Sequence, residues 1–170
     1  MKIGFVSLGC PKNLVDSEVM IGLVQQAGHD VTADAADADV LVVNTCAFID
    51  SAKQESVDTI LELAELKKSG RCRKLVVTGC LAERYRGELQ QQIGEIDAVL
   101  GTGEVPDIVA AVSAPPGSHA AAAAPLRLYR RPPSVPPAAA APLPEYLYDA
   151  ETPRTLVTPK HYAYVKVAEG

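Results

Sequence analysis

Tryptophan is absent from this 170-residue chain and phenylalanine occurs only twice. Any core must therefore be assembled from Val, Leu, Ile and Ala rather than around large rings. No stretch approaches the ~18–20 consecutive apolar residues of a membrane-crossing helix, so no membrane partner is expected. The apolar start Ile3-Gly4-Phe5-Val6 is shorter than the ~7–15 residues of a secretion-signal core, and Pro11-Lys12-Asn13 follows it directly. Clustered Lys and Arg are also lacking, and the formal net charge is −5. That balance excludes a nucleic-acid grip built from this segment alone and fits a soluble cytoplasmic protein. Neither a CxxC nor an HxxxH pair occurs, which removes the short paired spacings of structural zinc sites. His29, His119 and His161 share no ligand spacing.

Four cysteines are present: Cys10, Cys46, Cys72 and Cys80. Thiols in a reducing compartment stay reduced, so a metal or cluster site is a better reading than two disulfides.

Along the first 112 residues, short apolar runs alternate with amphipathic segments. Lys2 to Ser7 reads as a strand. A helix to about Ala27 follows, with Asn13 as its cap, Asp16 completing an acidic first turn, and Val19, Leu23 and Ala27 on one face. Val31 to Ala33 is a weak strand. Val40-Leu41-Val42-Val43-Asn44 is continuously apolar, as a parallel strand covered on both faces would be. Ser51 and Gln54 form a capping-box pattern. The helix they open, to about Lys68, places Val57, Ile60, Leu61 and Ala64 at helical spacing. Leu75 to Thr78 and Ala98 to Leu100 are further strands, with helices at about Ala82 to Gln92 and from Val105-Pro106. Gly101-Thr102-Gly103 reads as a tight turn rather than a phosphate loop.

This alternation predicts an α/β fold: a five-stranded, mostly parallel sheet flanked by helices, flavodoxin-like, with strand order 2-1-3-4-5. Residues 1–112 form that domain. Composition changes abruptly afterwards, because residues 113–153 hold ten of the thirteen prolines and eleven alanines. That mixture denies regular structure its backbone donors and offers few large side chains to bury. It reads as a linker, with Tyr129, Tyr146 and Tyr148 able to touch the domain. Residues 154–170 turn strand-like again at Tyr162 to Val167, as the opening of a second domain.

Cys10, Cys46 and Cys80 each come just after a predicted strand, and lie 36 and 34 residues apart. Parallel strands share one carboxyl edge, where ligands of such folds bind, so three thiols distant in sequence should meet there. Gly9 and Gly79 precede two of them and would let the backbone bend closely around an inorganic group. Three cysteines can hold a 4Fe–4S cluster with one iron left open, since full ligation takes four. A catalytic three-cysteine zinc, and three inert core thiols, are the competing readings. Cys72, in Arg71-Cys72-Arg73-Lys74, precedes its strand. It is expected at the opposite edge, as a dispensable surface thiol whose cationic neighbours lower its pKa.

At these residues the chain resembles the methylthiotransferase family of radical-SAM enzymes. Ser7-Leu8-Gly9-Cys10-Pro11-Lys12-Asn13-Leu14-Val15-Asp16-Ser17-Glu18 is similar to its first cysteine motif. Asn44-Thr45-Cys46-Ala47-Phe48-Ile49 is similar to the second, and Thr78-Gly79-Cys80-Leu81-Ala82-Glu83-Arg84-Tyr85 to the third. Pro11-Lys12-Asn13, Ala47-Phe48-Ile49-Asp50 and Thr158-Pro159-Lys160-His161-Tyr162-Ala163-Tyr164 resemble the branch that modifies an aspartate of a small-subunit ribosomal protein. The tRNA-modifying branch is the alternative, and a flavodoxin-like nucleotide-binding module is another. The resemblance implies that Cys10, Cys46 and Cys80 carry the auxiliary 4Fe–4S cluster. It further implies that a second 4Fe–4S cluster and SAM belong to a domain beyond Gly170, so that this chain alone is catalytically incomplete. A reductant for the clusters is implied as a further partner.

Overall fold

The computed structural model describes residues 1–117 and 148–167. Five strands, β1 (Lys2–Ser7), β2 (Asp30–Thr32), β3 (Val40–Thr45), β4 (Lys74–Gly79) and β5 (Ala98–Leu100), form one sheet in the order β2-β1-β3-β4-β5. Every neighbouring pair is parallel. The expected order is borne out. The helices are α1 (Pro11–Gln26), α2 (Asp50–Ser69), α3 (Cys80–Gln92) and the short α4 (Ile108–Ser113).

Period-two alternation explains why β3 could be apolar throughout. Leu41 and Val43 join Ile60, Leu63, Leu75 and Val77 in the core under α2 and α3. Val40 and Val42 join Ile3, Val19, Met20 and Val76 on the other face, under α1 and α4. Successive strand side chains point to opposite faces, so a strand buried by two helix layers has no polar side.

The helix faces are rotated from the sequence reading. In α1, Leu23 is half-buried and Ala27 exposed, while Val15, Val19, Met20 and Val24 are buried. In α2, Leu61 is 47% exposed and Leu63 takes its place inside. The caps differ too. Cys10, not Asn13, is the N-cap of α1, with Pro11 in the first turn, and Asp16 is buried. Ile49 is the N-cap of α2 and no side chain caps it, so the Ser51–Gln54 capping box does not form. The tight turn expected at Gly101 does form, as the opening of a 3₁₀ segment over Thr102–Asp107.

Residues 118–147 of the Ala/Pro-rich stretch, with His119, Tyr129 and Tyr146, lie outside the described residues. Tyr148 packs against the α1 side of the core, as its aromatic ring invited. Residues 154–167 form no strand; a lone strand has no partner with which to make a ladder. They run instead along α1. The Arg154 guanidinium donates to Glu18 Oε2 at 2.9 and 2.5 Å, and the Val157 N–H donates to Glu18 Oε1 at 2.8 Å. Lys166 Nζ reaches Asp16 Oδ1 at 2.7 Å and stands over the Tyr148 ring, whose hydroxyl also donates to Asp16. A Cβ on Gly22 would lie 2.6 Å from the Pro153 backbone, so this strap crosses α1 in direct contact.

Candidate functional site

Register brings the three cysteines to one edge. Ser7 pairs with Asn44, Asn44 with Thr78, and Thr78 with Leu100, so the carboxyl ends of β1, β3, β4 and β5 are level. Cys10 follows this row by three residues, and Cys46 and Cys80 by two. Cys10 is exposed, Cys46 buried, and Cys80 half-buried. Cys10 caps α1 and Cys80 opens α3, so two of the thiols sit at helix N-termini, where negative charge is favoured.

Gly9 and Gly79 have φ of +92° and +95°. The Gly79 pair of φ 95° and ψ −161° falls in a region open essentially only to glycine. A Cβ on Gly9 would stand 2.9 Å from Cys46 Sγ, so the loop before Cys10 lies directly on Cys46. Beneath them, Asn13 and Asn44 are both 1% exposed. Asn44 Nδ2 donates to the Asn13 carbonyl at 2.7 Å and to Ser17 Oγ at 3.0 Å, and Ser17 in turn bonds Ser7. Asn44 Oδ1 is buried with no hydrogen-bond partner, beside Gly79.

Burial pushes the Cys80 thiol pKa up. Lys12 opposes this, and Cys46 and Cys10 reinforce it as neighbouring negative charges. Among the described residues, however, no group of three or more His, Cys, Asp or Glu side chains is gathered closely enough to hold a metal ion. The fit of a cluster is tested by the surroundings. Soft thiol donors, two of them at helix N-termini, suit a bulky anionic inorganic group, and the close approach of the Gly9 loop to Cys46 Sγ keeps that thiol beside the edge.

Cys72 departs from expectation. It does lie at the opposite, amino end of β4, but it is 4% exposed and its Sγ donates to the Lys74 carbonyl at 3.2 Å. Burial raises its pKa, because the cationic neighbours face elsewhere: Arg71 pairs with Asp37 and Asp39, and Lys74 Nζ donates to the Ala114 carbonyl. We predict that iodoacetamide at pH 8 labels Cys10 at least about a hundredfold faster than Cys72 in the metal-free folded chain. Peptide mass mapping checks this, and equal rates would mean that Cys72 is not enclosed.

The β5 end is already filled. The Gly101 N–H donates to Glu104 Oε2 at 2.6 Å and the Thr102 N–H to Glu83 Oε2 at 3.1 Å. A phosphate at this turn would meet two carboxylates in place of free donors. Sequence reasoning missed the floor of the site: Asn13 reads locally as a cap, and the roles of Asn44 and Ser17 have no local signal. It also missed Phe48, 88% exposed two residues beyond Cys46.

Residues 2–101, spanning all five strands and the three cysteine loops, match the model of uncharacterized protein family UPF0004. The chain belongs to that family. It is 53% identical to the ribosomal protein uS12 methylthiotransferase RimO of Koribacter versatilis, covering 99% of this chain and 38% of that protein. Identity is 52% to the protein of the same name from Solibacter usitatus, covering 100% of this chain and 32% of the relative. For the Myxococcus xanthus protein of that name it is 47%, covering 97% and 31%. The resemblance seen in the cysteine motifs is thus shown, and the chain spans about a third of the length of these relatives.

Proposed function

We propose that this chain is the cluster-holding part of a radical-SAM enzyme that adds a methylthio group to the β-carbon of an aspartate in ribosomal protein uS12. One observation carries the reading. Three cysteines follow the level ends of β1, β3 and β4 in a chain 53% identical to a protein named for that reaction. Cys10, Cys46 and Cys80 are the residues that would hold a 4Fe–4S cluster. Such a group, when bound by three thiolates, supplies one iron free to take an external sulfur species. The chain's own contribution is positional. Gly9 lets the loop before Cys10 close onto Cys46, and Gly79 lets the end of β4 bend against Asn44 and Thr45. The starts of α1 and α3 favour thiolate charge, and exposed Cys10 leaves the edge open to a substrate. SAM, the second 4Fe–4S cluster and the reductant would be partners of the rest of the enzyme. No helix among the described residues is long and apolar enough to cross a membrane, and a ribosomal substrate implies work in the cytoplasm.

The tRNA-modifying alternative is less well supported, because the three relatives above are all named for uS12. The nucleotide-module alternative is weakened by the carboxylates at the β5 turn.

Anaerobic reconstitution of the 170-residue chain with iron and sulfide is expected to load about four of each per chain. Cys46→Ser should lose most of both, and Cys72→Ala should keep them. Iron and acid-labile sulfide assays decide the matter. A wild type without iron, or a Cys46→Ser chain that holds as much, would remove the cluster assignment.

A further inference from the structure

Asn13 is the third residue of α1 and is 1% exposed. Its amide touches all three cysteine-bearing loops. Nδ2 donates to the Leu8 carbonyl at 3.0 Å, two residues before Cys10, and to the Thr45 carbonyl at 2.9 Å, immediately before Cys46. On the other side of the same planar group, Oδ1 accepts from Cys80 Sγ at 3.7 Å. Both donors and the acceptor are therefore used, each on a different loop. Its backbone is also held, because the Asn13 carbonyl accepts from Asn44 Nδ2 at 2.7 Å.

No other side chain type of this size does all three tasks. Aspartate would turn a second acceptor on two carbonyl oxygens, and leucine would leave those carbonyls without donors. Other bonds join these loops in pairs: Leu8 N–H to the Asn44 carbonyl, Thr45 Oγ1 to the Thr78 carbonyl, and the Arg84 guanidinium to the Ala47 carbonyl.

We infer that Asn13 is the positioning residue of the three-cysteine site: Nδ2 ties the Cys10 and Cys46 loops together, and Oδ1 holds Cys80 while that sulfur is still a thiol, so that the three are presented together before the proton leaves on ligation. It touches a candidate ligand side chain and two ligand loops, and acts on the reaction only through them. The inference rests on the cluster reading above. Residues that hold metal ligands in place typically change metal affinity by about 10–100-fold when replaced.

The test uses the full chain, reconstituted anaerobically, as Asn13→Ala and Asn13→Asp, with Asn13→Ser made as well so that a folded variant is in hand. Ile60→Val, in the core under α2, serves as a control for general loss of stability. Three quantities are measured: the urea midpoint of the metal-free chain, the rate of iron loss to a chelator, and the electron paramagnetic resonance spectrum of the reduced cluster. The expected result is iron loss at least about tenfold faster than in wild type, with an altered spectrum, and faster than in Ile60→Val at a comparable midpoint. Wild-type iron retention and spectrum in the folded variants would overturn the inference. So would iron loss that merely follows the urea midpoint, with Ile60→Val on the same line. A wild type that takes up no iron would remove the cluster reading and this inference with it, whereas iron in wild type with unchanged variants removes only the role of Asn13.

Discussion

Gly79→Ala is expected to destabilise the metal-free chain by roughly 2–6 kcal/mol, from backbone strain of about 1–3 and overpacking of about 1–3. The backbone at Gly79, φ 95° and ψ −161°, is a conformation that a side chain resists. The space is occupied as well: the new Cβ would overlap Asn44 Oδ1 and stand 2.5 Å from the Thr45 carbonyl oxygen. Neither neighbour is free to yield. Asn44 is held by Asn13 and Ser17, and Thr45 accepts from Asn13. Relief would have to come from the loop carrying Cys80, so iron uptake should fall together with stability. Gly87 supplies the contrast. It is not enclosed within α3, with nothing within 4 Å of its missing Cβ, so Gly87→Ala should stabilise by about 0.5–1 kcal/mol through helix propensity. Urea denaturation of both variants checks the pair. Equal midpoints for the two would show that Gly79 is not under the constraint described.

Arg154→Ala is expected to cost roughly 2–4 kcal/mol, although residue 154 stands far from the sheet in sequence. The side chain of Glu18 is 0% exposed and that of Arg154 is 23% exposed. Removing one member of a buried pair leaves a charge without its counterion, at about 3–5 kcal/mol when both members are enclosed. Partial exposure of the guanidinium reduces that figure. The carboxylate would keep only the Val157 N–H among the strap donors. Removing both charges, as in Arg154→Met with Glu18→Gln, should recover most of the loss, because the penalty lies in the uncompensated charge rather than in the missing attraction. A double-mutant cycle on urea midpoints measures it. Additive losses in the cycle would sink the account. Hydrogen exchange should also show backbone amides of 155 and 157 losing protection in Arg154→Ala, since their acceptors are the Glu18 carbonyl and carboxylate. The consequence for function is geometric. The strap passes Asp16 at Lys166 on the helix that Cys10 caps, so residues 154–166 are tied to the element that carries one edge of the candidate site.

These two residues show where sequence reading succeeds and where it stops. Gly79 is legible because a sharp bend between a strand end and a cysteine calls for a residue without a Cβ. Glu18 is not: on the helical wheel an acidic residue beside Asp16 reads as solvated surface. Its burial is set by residues 154–157, about 136 positions away, and no local period carries that information. Cys72 misleads for a related reason. Its neighbours in sequence are cationic, but strand geometry turns Arg71 and Lys74 to other partners and leaves the thiol in the core.

The sequence by itself determined the parallel sheet and the edge on which three cysteines fall; the strand order was an expectation from strand count, which the structure decided. Alternation of apolar strands with helices, and the right-handed crossovers that follow from it, leave few other topologies. The tertiary structure alone decided which polar side chains are enclosed and what each one faces. Asn13, Asn44, Asp16 and Glu18 acquire their roles from contacts between segments, because the cost of burying a polar group is settled by partners that only the folded chain brings within reach.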